Sequence, residues 1–169
     1  MYRNTFLSVM FLACCFNGSL CAQGDAQIYE RTCDAKTYPF SDPSPVATPN
    51  NSYYPYFRFD GFSMQAQEKQ WKMVVLENDY VKLTVTPEIG GKIWGAIDKV
   101  NNKEFVYTNG VVKFRDVAMR GPWTSGGIEF NFGIIGHAPT CSTPIDYLTK
   151  KNVDGSVSCH IFSYEWITR

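Results

Sequence analysis

The residues best suited to chemistry in this sequence lie together between Arg120 and His137. A guanidinium, an indole, a carboxylate, an amide and an imidazole are carried there by Arg120, Trp123, Glu129, Asn131 and His137. These groups supply bidentate donors, a stacking face and mixed acceptors, which is the usual inventory for binding a sugar. The stretch therefore predicts a carbohydrate site, with Arg120, Trp123 and Asn131 as the substrate-binding residues.

A strand must position these groups. Ile128, Phe130 and Phe132 alternate with Glu129 and Asn131, so a strand here would turn its apolar side chains to the core and its polar ones to the other face. Glycines on both sides of this strand permit bends lined by backbone: Gly126, Gly127, Gly133 and Gly136. The same pattern also fits a β-sandwich strand that serves packing alone.

Composition excludes two classes of partner. The 169 residues are 44% hydrophobic with a formal net charge of +0, which is typical of one globular domain. Lys and Arg are dispersed, so the sequence shows neither a nucleic-acid footprint nor a polybasic membrane patch.

The N-terminus resembles a targeting signal. Arg3 precedes an apolar run, Phe6–Phe16, and a small residue, Ala22, ends the segment, so residues 1–22 are predicted to be a signal peptide. The run is short for a bilayer, so we expect a secreted or periplasmic product without a membrane span. A lipoprotein signal around Cys14 fits less well.

After removal of the signal, three cysteines remain: Cys33, Cys141 and Cys159. An odd number permits at most one disulfide, whose pairing the sequence leaves open. Cys159 and His160 are neighbours that a strand would point to opposite faces, so they cannot chelate one ion. We predict no structural zinc site and no cofactor, although His137 with a carboxylate would be able to hold an ion.

The remaining chain divides into two parts. Residues 23–52 are polar and contain four prolines, which predicts a leader without regular structure. Residues 53–169 are predicted to be a β-sandwich domain, because no long segment has a helical period. After an aromatic extended segment at Tyr53–Phe62, strand patterns recur at Lys72–Glu77, Tyr80–Thr86, Lys92–Ile97, Glu104–Tyr107, Val111–Phe114, Ile145–Leu148 and Val157–Ile167.

Three local features carry further expectations. Asn109-Gly110 predicts a hairpin between the strands on either side of it. Gly90-Gly91-Lys92 has no helix behind it, so it is interpreted as a tight bend and not as a phosphate loop. The sequence stops at Arg169 directly after a β pattern, which would leave an exposed final strand, so we expect an N-terminal piece of a longer protein.

Several of these segments resemble the galactose mutarotase (aldose-1-epimerase)-like superfamily. Leu76–Asn78 followed by Val81–Ile93 resembles the opening of such domains, with an Asn-bearing strand, a Pro and a Gly-Gly turn. Gly121–Phe132 with Gly136-His137 is more closely similar to an uncharacterised mutarotase-like domain of secreted bacterial proteins. That domain is often followed by tetratricopeptide repeats, which the resemblance implies as partners in the full-length protein.

The resemblance implies the N-terminal part of a β-supersandwich with a concave carbohydrate-binding face. Arg120 matches the substrate-binding Arg of the family, and His137 is the candidate for the acid that protonates the ring oxygen. The family's Glu base would lie beyond Arg169. Glu129 is a catalytic candidate on its own chemistry only, because the hexose-6-phosphate branch has Pro at that position.

Three functions follow as hypotheses. The first is an aldose epimerase-like or glycoside-processing enzyme, for which acid and base must reach one sugar together. The second is a non-catalytic carbohydrate-binding module, and the third is a structural domain of a multidomain protein. We expect the 169-residue chain alone to be inactive, since part of a sandwich does not preorganise an acid and a base.

Overall fold

The computed structural model describes residues 25–39, 63–116, 122–131 and 142–163. These residues form nine strands and one single-turn 3-10 helix, Pro87–Ile89, and they contain no α-helix. The predicted all-β fold is confirmed. The strands are β1 Gln27–Tyr38, β2 Gln67–Glu77, β3 Val81–Thr86, β4 Lys92–Asp98, β5 Lys103–Val106, β6 Val112–Asp116, β7 Pro122–Thr124, β8 Asp146–Lys151 and β9 Val157–Phe162.

Seven strands form one sheet in the order β5-β4-β3-β2-β1-β6-β7, and β8 and β9 form a separate hairpin. All neighbours in the sheet are antiparallel except β1 and β6. Beyond β7 the chain returns to β4, where Ile128 and Ile93 exchange two backbone hydrogen bonds of 2.9 and 3.1 Å. The sheet is therefore a curled half-barrel whose open side is spanned by the residues between β7 and Ile128.

The expectation that residues 23–52 lack regular structure is wrong for β1. This strand pairs with β2 along its length, from Gln27↔Glu77 to Thr37↔Gln67. Its side chains are mostly exposed, which explains the polar composition that suggested a leader. The prolines that predicted irregular structure begin only at Pro39, directly after the strand ends.

The hairpin predicted at Asn109-Gly110 does not form. β5 pairs with β4, whereas β6 pairs with β1 and β7, at the other end of the sheet. A two-residue type I′ turn needs positive φ at both central residues, and neither Asn109 nor Gly110 has one. Asn109 instead accepts a bond from the Val111 N–H through its side chain, and the dipeptide turns within a longer connection.

The core lies on one face of the sheet, which we call the inner face. Trp71 and Met73 of β2, Trp94 of β4, and Val112 and Phe114 of β6 form one buried cluster. Ile89 of the 3-10 helix completes it. Because β2, β4 and β6 are not neighbours in the sheet, their side chains meet only if this face is concave.

The hairpin of β8 and β9 lies against the opposite, outer face. Gly91 has φ +66°, which favours glycine, and a Cβ there would meet the side chains of Ile145 and Ile161 at 2.5 and 3.0 Å, so the hairpin packs closely on this bend. Backbone bonds from Gly90 N–H to Thr143 O and from Ile145 N–H to Pro87 O fix the entry to the hairpin. Both faces of the central strands are thus covered in part.

A phenol joins the hairpin to β1. The Tyr147 hydroxyl donates a 2.6 Å hydrogen bond to the Glu30 carboxylate. Burial and this bond raise the pKa of Tyr147 from 10.0 to about 12. The fold therefore favours the protonated phenol.

We predict the consequence for pH. Because the folded pKa is the higher one, the contribution of the phenol to stability is complete below pH 10 and is lost as pH rises through about 12. The difference in absorbance between wild type and Tyr147→Phe should show a phenolate that forms near pH 12. Glu30→Gln should move this titration toward lower pH, and an unmoved titration would contradict the assignment.

Candidate functional site

A cavity of about 250 Å³ opens on the inner face and is the described feature best suited to a polar ligand. Charged and amide groups enter its lining from β1, β5 and the connection to β6, through Arg31, Glu104 and Asn109. Two indoles, Trp71 and Trp94, form part of its apolar wall. Its lining also includes Cys33, Asp34, Ala35, Met73, Thr84, Thr86, Ile89, Gly95, Ala96, Ile97, Thr108, Gly110 and Val112.

Threonines of β3 turn toward this cavity. The sequence predicts a half-buried strand with Thr84 and Thr86 on its polar side, but they are only 8% and 0% exposed. The expectation fails because both faces of β3 are covered. The Thr86 hydroxyl donates to the Lys92 carbonyl at 3.3 Å, so part of its polarity is used within the sheet.

Residues 123–128 run from the end of β7 to the bridge at Ile128 and are bonded to a residue of the cavity lining, and we call them the rim segment. Asn109, which lines the cavity, donates a 2.7 Å hydrogen bond to the Ser125 hydroxyl. The Gly127 N–H donates to the Tyr107 carbonyl at 2.8 Å. Together with the bridge at Ile128, these bonds hold the rim segment against β4 and the residues after β5.

Lys92 contacts the other end of the rim segment. Its side chain is 1% exposed, and its ammonium donates a 2.5 Å hydrogen bond to the Thr124 carbonyl. The Trp123 ring centroid lies 5.9 Å from the same nitrogen, within reach of a cation–π contact. The predicted tight bend at Gly90-Gly91 is present, with φ of 64° and 66°, but it leads into a buried cation that the sequence did not indicate.

The strand predicted over Ile128–Phe132 is reduced to one bridge in the described residues. Ile128 pairs with Ile93 and is 44% exposed, so it does not face the core as the alternation predicted. β5 takes the edge of β4 from Ala96 to Asp98, which leaves only the first part of β4 open to pairing here. Phe130 lies in the groove on the outer face.

The structure describes three of the five predicted site residues, and none of the three lines the inner cavity. Trp123 lies beside Lys92, and the Glu129 carboxylate has a buried oxygen, Oε2. Asn131 is exposed and lines the outer groove, away from the inner cavity. Arg120 and His137 lie outside the described residues.

The outer groove has a volume of about 450 Å³ and a mainly apolar lining. Cys159 lines it, and burial raises the pKa of that thiol. Cys33 lines the inner cavity instead, and neither of these two cysteines is in a disulfide. Leu76, Leu83, Val85, Gly91, Ile93, Phe130, Asn131 and Ile161 form the rest of the groove.

A family model described as a domain of unknown function, DUF5107, matches residues 48–169. The chain belongs to the DUF5107 family. β1 precedes the matched part, yet β2 and β6 both pair with it, so the DUF5107 domain of this chain uses a strand from outside the match.

A solved structure resembles the DUF5107 domain. It is a TPR-domain-containing protein from Parabacteroides distasonis, with a TM-score of 0.68 and 29% sequence identity. The match covers 77% of this chain and 23% of that protein. The chain thus spans about a quarter of the length of the protein that it matches.

The described residues contain neither a metal-binding cluster nor a membrane-spanning helix. No cluster of three or more His, Cys, Asp or Glu side chains there is arranged to hold a metal ion. None of the described residues forms a helix with the length and apolar character of a membrane span.

Sequence reasoning missed most of the residues around the inner cavity of the DUF5107 domain. Arg31 lies in the segment that was predicted to be a leader without regular structure. Glu104 and Asn109 lie where the sequence predicts a hairpin, which the structure does not contain. One sequence signal could have located the inner face: the two tryptophans Trp71 and Trp94. Indoles on separate strands seldom lie far from a large core.

Proposed function

We propose that this DUF5107 domain binds a carbohydrate in the inner cavity. The observation that carries the proposal is the lining, where a guanidinium, a carboxylate, an amide and threonine hydroxyls surround a wall with two indoles. Sugars present hydroxyl groups around an apolar ring, and such a mixed lining satisfies both parts. The outer groove is larger but offers few polar groups, so it suits a sugar less well.

Binding calorimetry with a panel of monosaccharides and short oligosaccharides tests the proposal. Arg31 and Glu104 are exposed at the cavity, so their truncation should not disturb the core. The double variant Arg31→Ala/Glu104→Ala should bind about tenfold or more weakly, because each lost hydrogen bond to a charged group is worth roughly 1.5–3 kcal/mol.

The control is Glu68→Ala/Lys103→Ala. It removes the same two charge types from exposed strand positions that do not line the cavity. Its affinity should equal that of the wild type. Absence of heat from every sugar at millimolar concentration would end the proposal, as would equal losses in the two double variants.

Turnover is a separate question from binding. Ring opening needs an acid and a base within hydrogen-bond reach of one sugar. Glu129, with its buried carboxylate oxygen, is the described candidate, and the proposed partner His137 lies outside the described residues. The proposal for this chain is therefore binding, and catalysis by the pair stays a prediction.

We also propose that the domain is the first part of a mutarotase-like β-supersandwich in a longer protein with TPR repeats. The support is the TPR-domain-containing protein from Parabacteroides distasonis, of which the match covers only 23%. The curled sheet with a cavity on its concave face is compatible with such an architecture.

A further inference from the structure

Lys92 is a buried cation that the proposed binding site does not yet use. Its side chain is 1% exposed, yet its ammonium lies within the fold and donates to the Thr124 carbonyl at 2.5 Å. Lysine is almost never fully buried unless its charge is compensated, because removal of an ammonium from water is costly. The side chain must therefore supply an interaction that an apolar residue of the same size would not.

The position of Lys92 shows what that interaction controls. Ile93, the next residue, pairs with Ile128 at one end of the rim segment, while Lys92 holds Thr124 at the other end. Two consecutive residues of β4 thus fix both ends of a connection that contains glycines with positive φ. The connection would otherwise have several conformations open to it.

The same ammonium lies near the Trp123 ring, 5.9 Å from its centroid. Trp123 is only half-buried, so part of the indole stays accessible. Ser125, two residues on, is bonded to Asn109 of the inner cavity. Lys92 therefore holds a segment that is bonded to a residue of the cavity lining, and the Trp123 ring reports on that segment.

We infer that Lys92 is a positioning residue of the carbohydrate site, which holds the rim segment, and through it Asn109 of the inner cavity, without contact with the ligand. This inference rests on the proposed function. In it, the ammonium fixes the Thr124 carbonyl, and Ser125, the next residue, keeps the Asn109 amide in place for the sugar.

Two substitutions test this role. Lys92→Met keeps the length of the apolar stem and removes the charge and the hydrogen bond. Lys92→Arg keeps the charge and serves as the conservative rescue, although its planar fork places the donors differently. The matched control is Lys36→Met, because Lys36 also lies over an aromatic ring, 6.0 Å from the Tyr38 centroid, but is exposed and does not line the cavity.

Two quantities are measured on the whole chain: the Kd for the sugar found in the panel, and the Trp123 fluorescence. The latter is obtained by subtraction of the Trp123→Phe spectrum in each background. Lys92→Met should weaken binding about tenfold, because the rim segment no longer keeps Asn109 in place for the ligand, and should shift the Trp123 emission. Lys92→Arg should recover part of the affinity, and Lys36→Met should change neither quantity.

The outcomes separate the two proposals. If the wild type binds sugar and Lys92→Met binds equally well, the role of Lys92 is overturned while the proposed function stands. If the wild type binds no sugar, both fail. Should Lys92→Met not fold, Ser125→Ala decides, because it removes the bond between the rim segment and Asn109 and leaves Lys92 in place. An unchanged Kd in that variant would also overturn the role.

Discussion

Replacement of Gly127 by alanine is expected to destabilise the domain by about 3 kcal/mol or more. Gly127 has φ +70°, a conformation that L side chains rarely adopt. An added Cβ would also overlap the carbonyl oxygen of Ile93. That oxygen accepts the bond from the Ile128 N–H, so the strain falls on the bridge that closes the curled sheet. Urea unfolding monitored by tryptophan fluorescence measures the loss.

Two other glycines separate the causes. Gly155 has φ +82° with open space around it, so Gly155→Ala carries only the backbone cost of roughly 1–2 kcal/mol. Gly110 does not have a positive φ, and a Cβ added there would meet no atom within 4 Å. The free energy of unfolding of Gly110→Ala should therefore stay within about 0.5 kcal/mol of wild type. If Gly127→Ala costs no more than Gly155→Ala, the close approach to Ile93 is not important to the fold.

The central strands could be predicted because their signals are local. The alternation over Tyr80–Thr86 predicted β3, and the turn at Asn78-Asp79 separates it from β2. The structure gives that turn a simple basis, since the Asn78 side chain accepts bonds from the N–H groups of Tyr80 and Val81. Such a turn depends on a few adjacent residues, which a sequence displays directly.

Which strands pair with each other could not be predicted in the same way. β1 pairs with β6 in parallel at Thr37↔Val112, across a long sequence separation. No local pattern records that pairing, and Asn109-Gly110 indicated a different one. β1 itself was missed because an exposed strand stabilised by backbone bonds to β2 needs little apolar patterning.

The inner cavity could not be predicted either, because its lining depends on how the sheet curls. Trp123 and Glu129 were singled out from their chemistry, and neither lines that cavity. Lys92 illustrates this, because a lysine after Gly90-Gly91 has the sequence of an exposed turn and is buried only once β7 passes beside β4. Burial of a cation is a tertiary property, and a single sequence does not show it.

Truncation of Trp71 to alanine should reduce the free energy of unfolding by about 3–5 kcal/mol, as large aromatic truncations in cores do. Trp71 is 4% exposed and packs at a tilt on Phe114, with the ring centroids 6.4 Å apart. Its indole N–H donates a 2.9 Å bond to the Thr37 hydroxyl. One side chain of β2 thus joins β1 and β6 on the inner face, and denaturant unfolding measures what its removal costs.

Trp71→Phe divides this loss into its parts. The smaller ring keeps much of the apolar contact but leaves the Thr37 hydroxyl without its donor, which should cost roughly 1–3 kcal/mol. Tyr80→Ala, at a residue that is 51% exposed, should change stability by less than about 0.5 kcal/mol. If Trp71→Ala lowers the free energy of unfolding no more than Tyr80→Ala does, the inner cluster does not stabilise the curvature of the sheet. The concavity would then depend on the bridge between Ile93 and Ile128 and on the buried Lys92 alone.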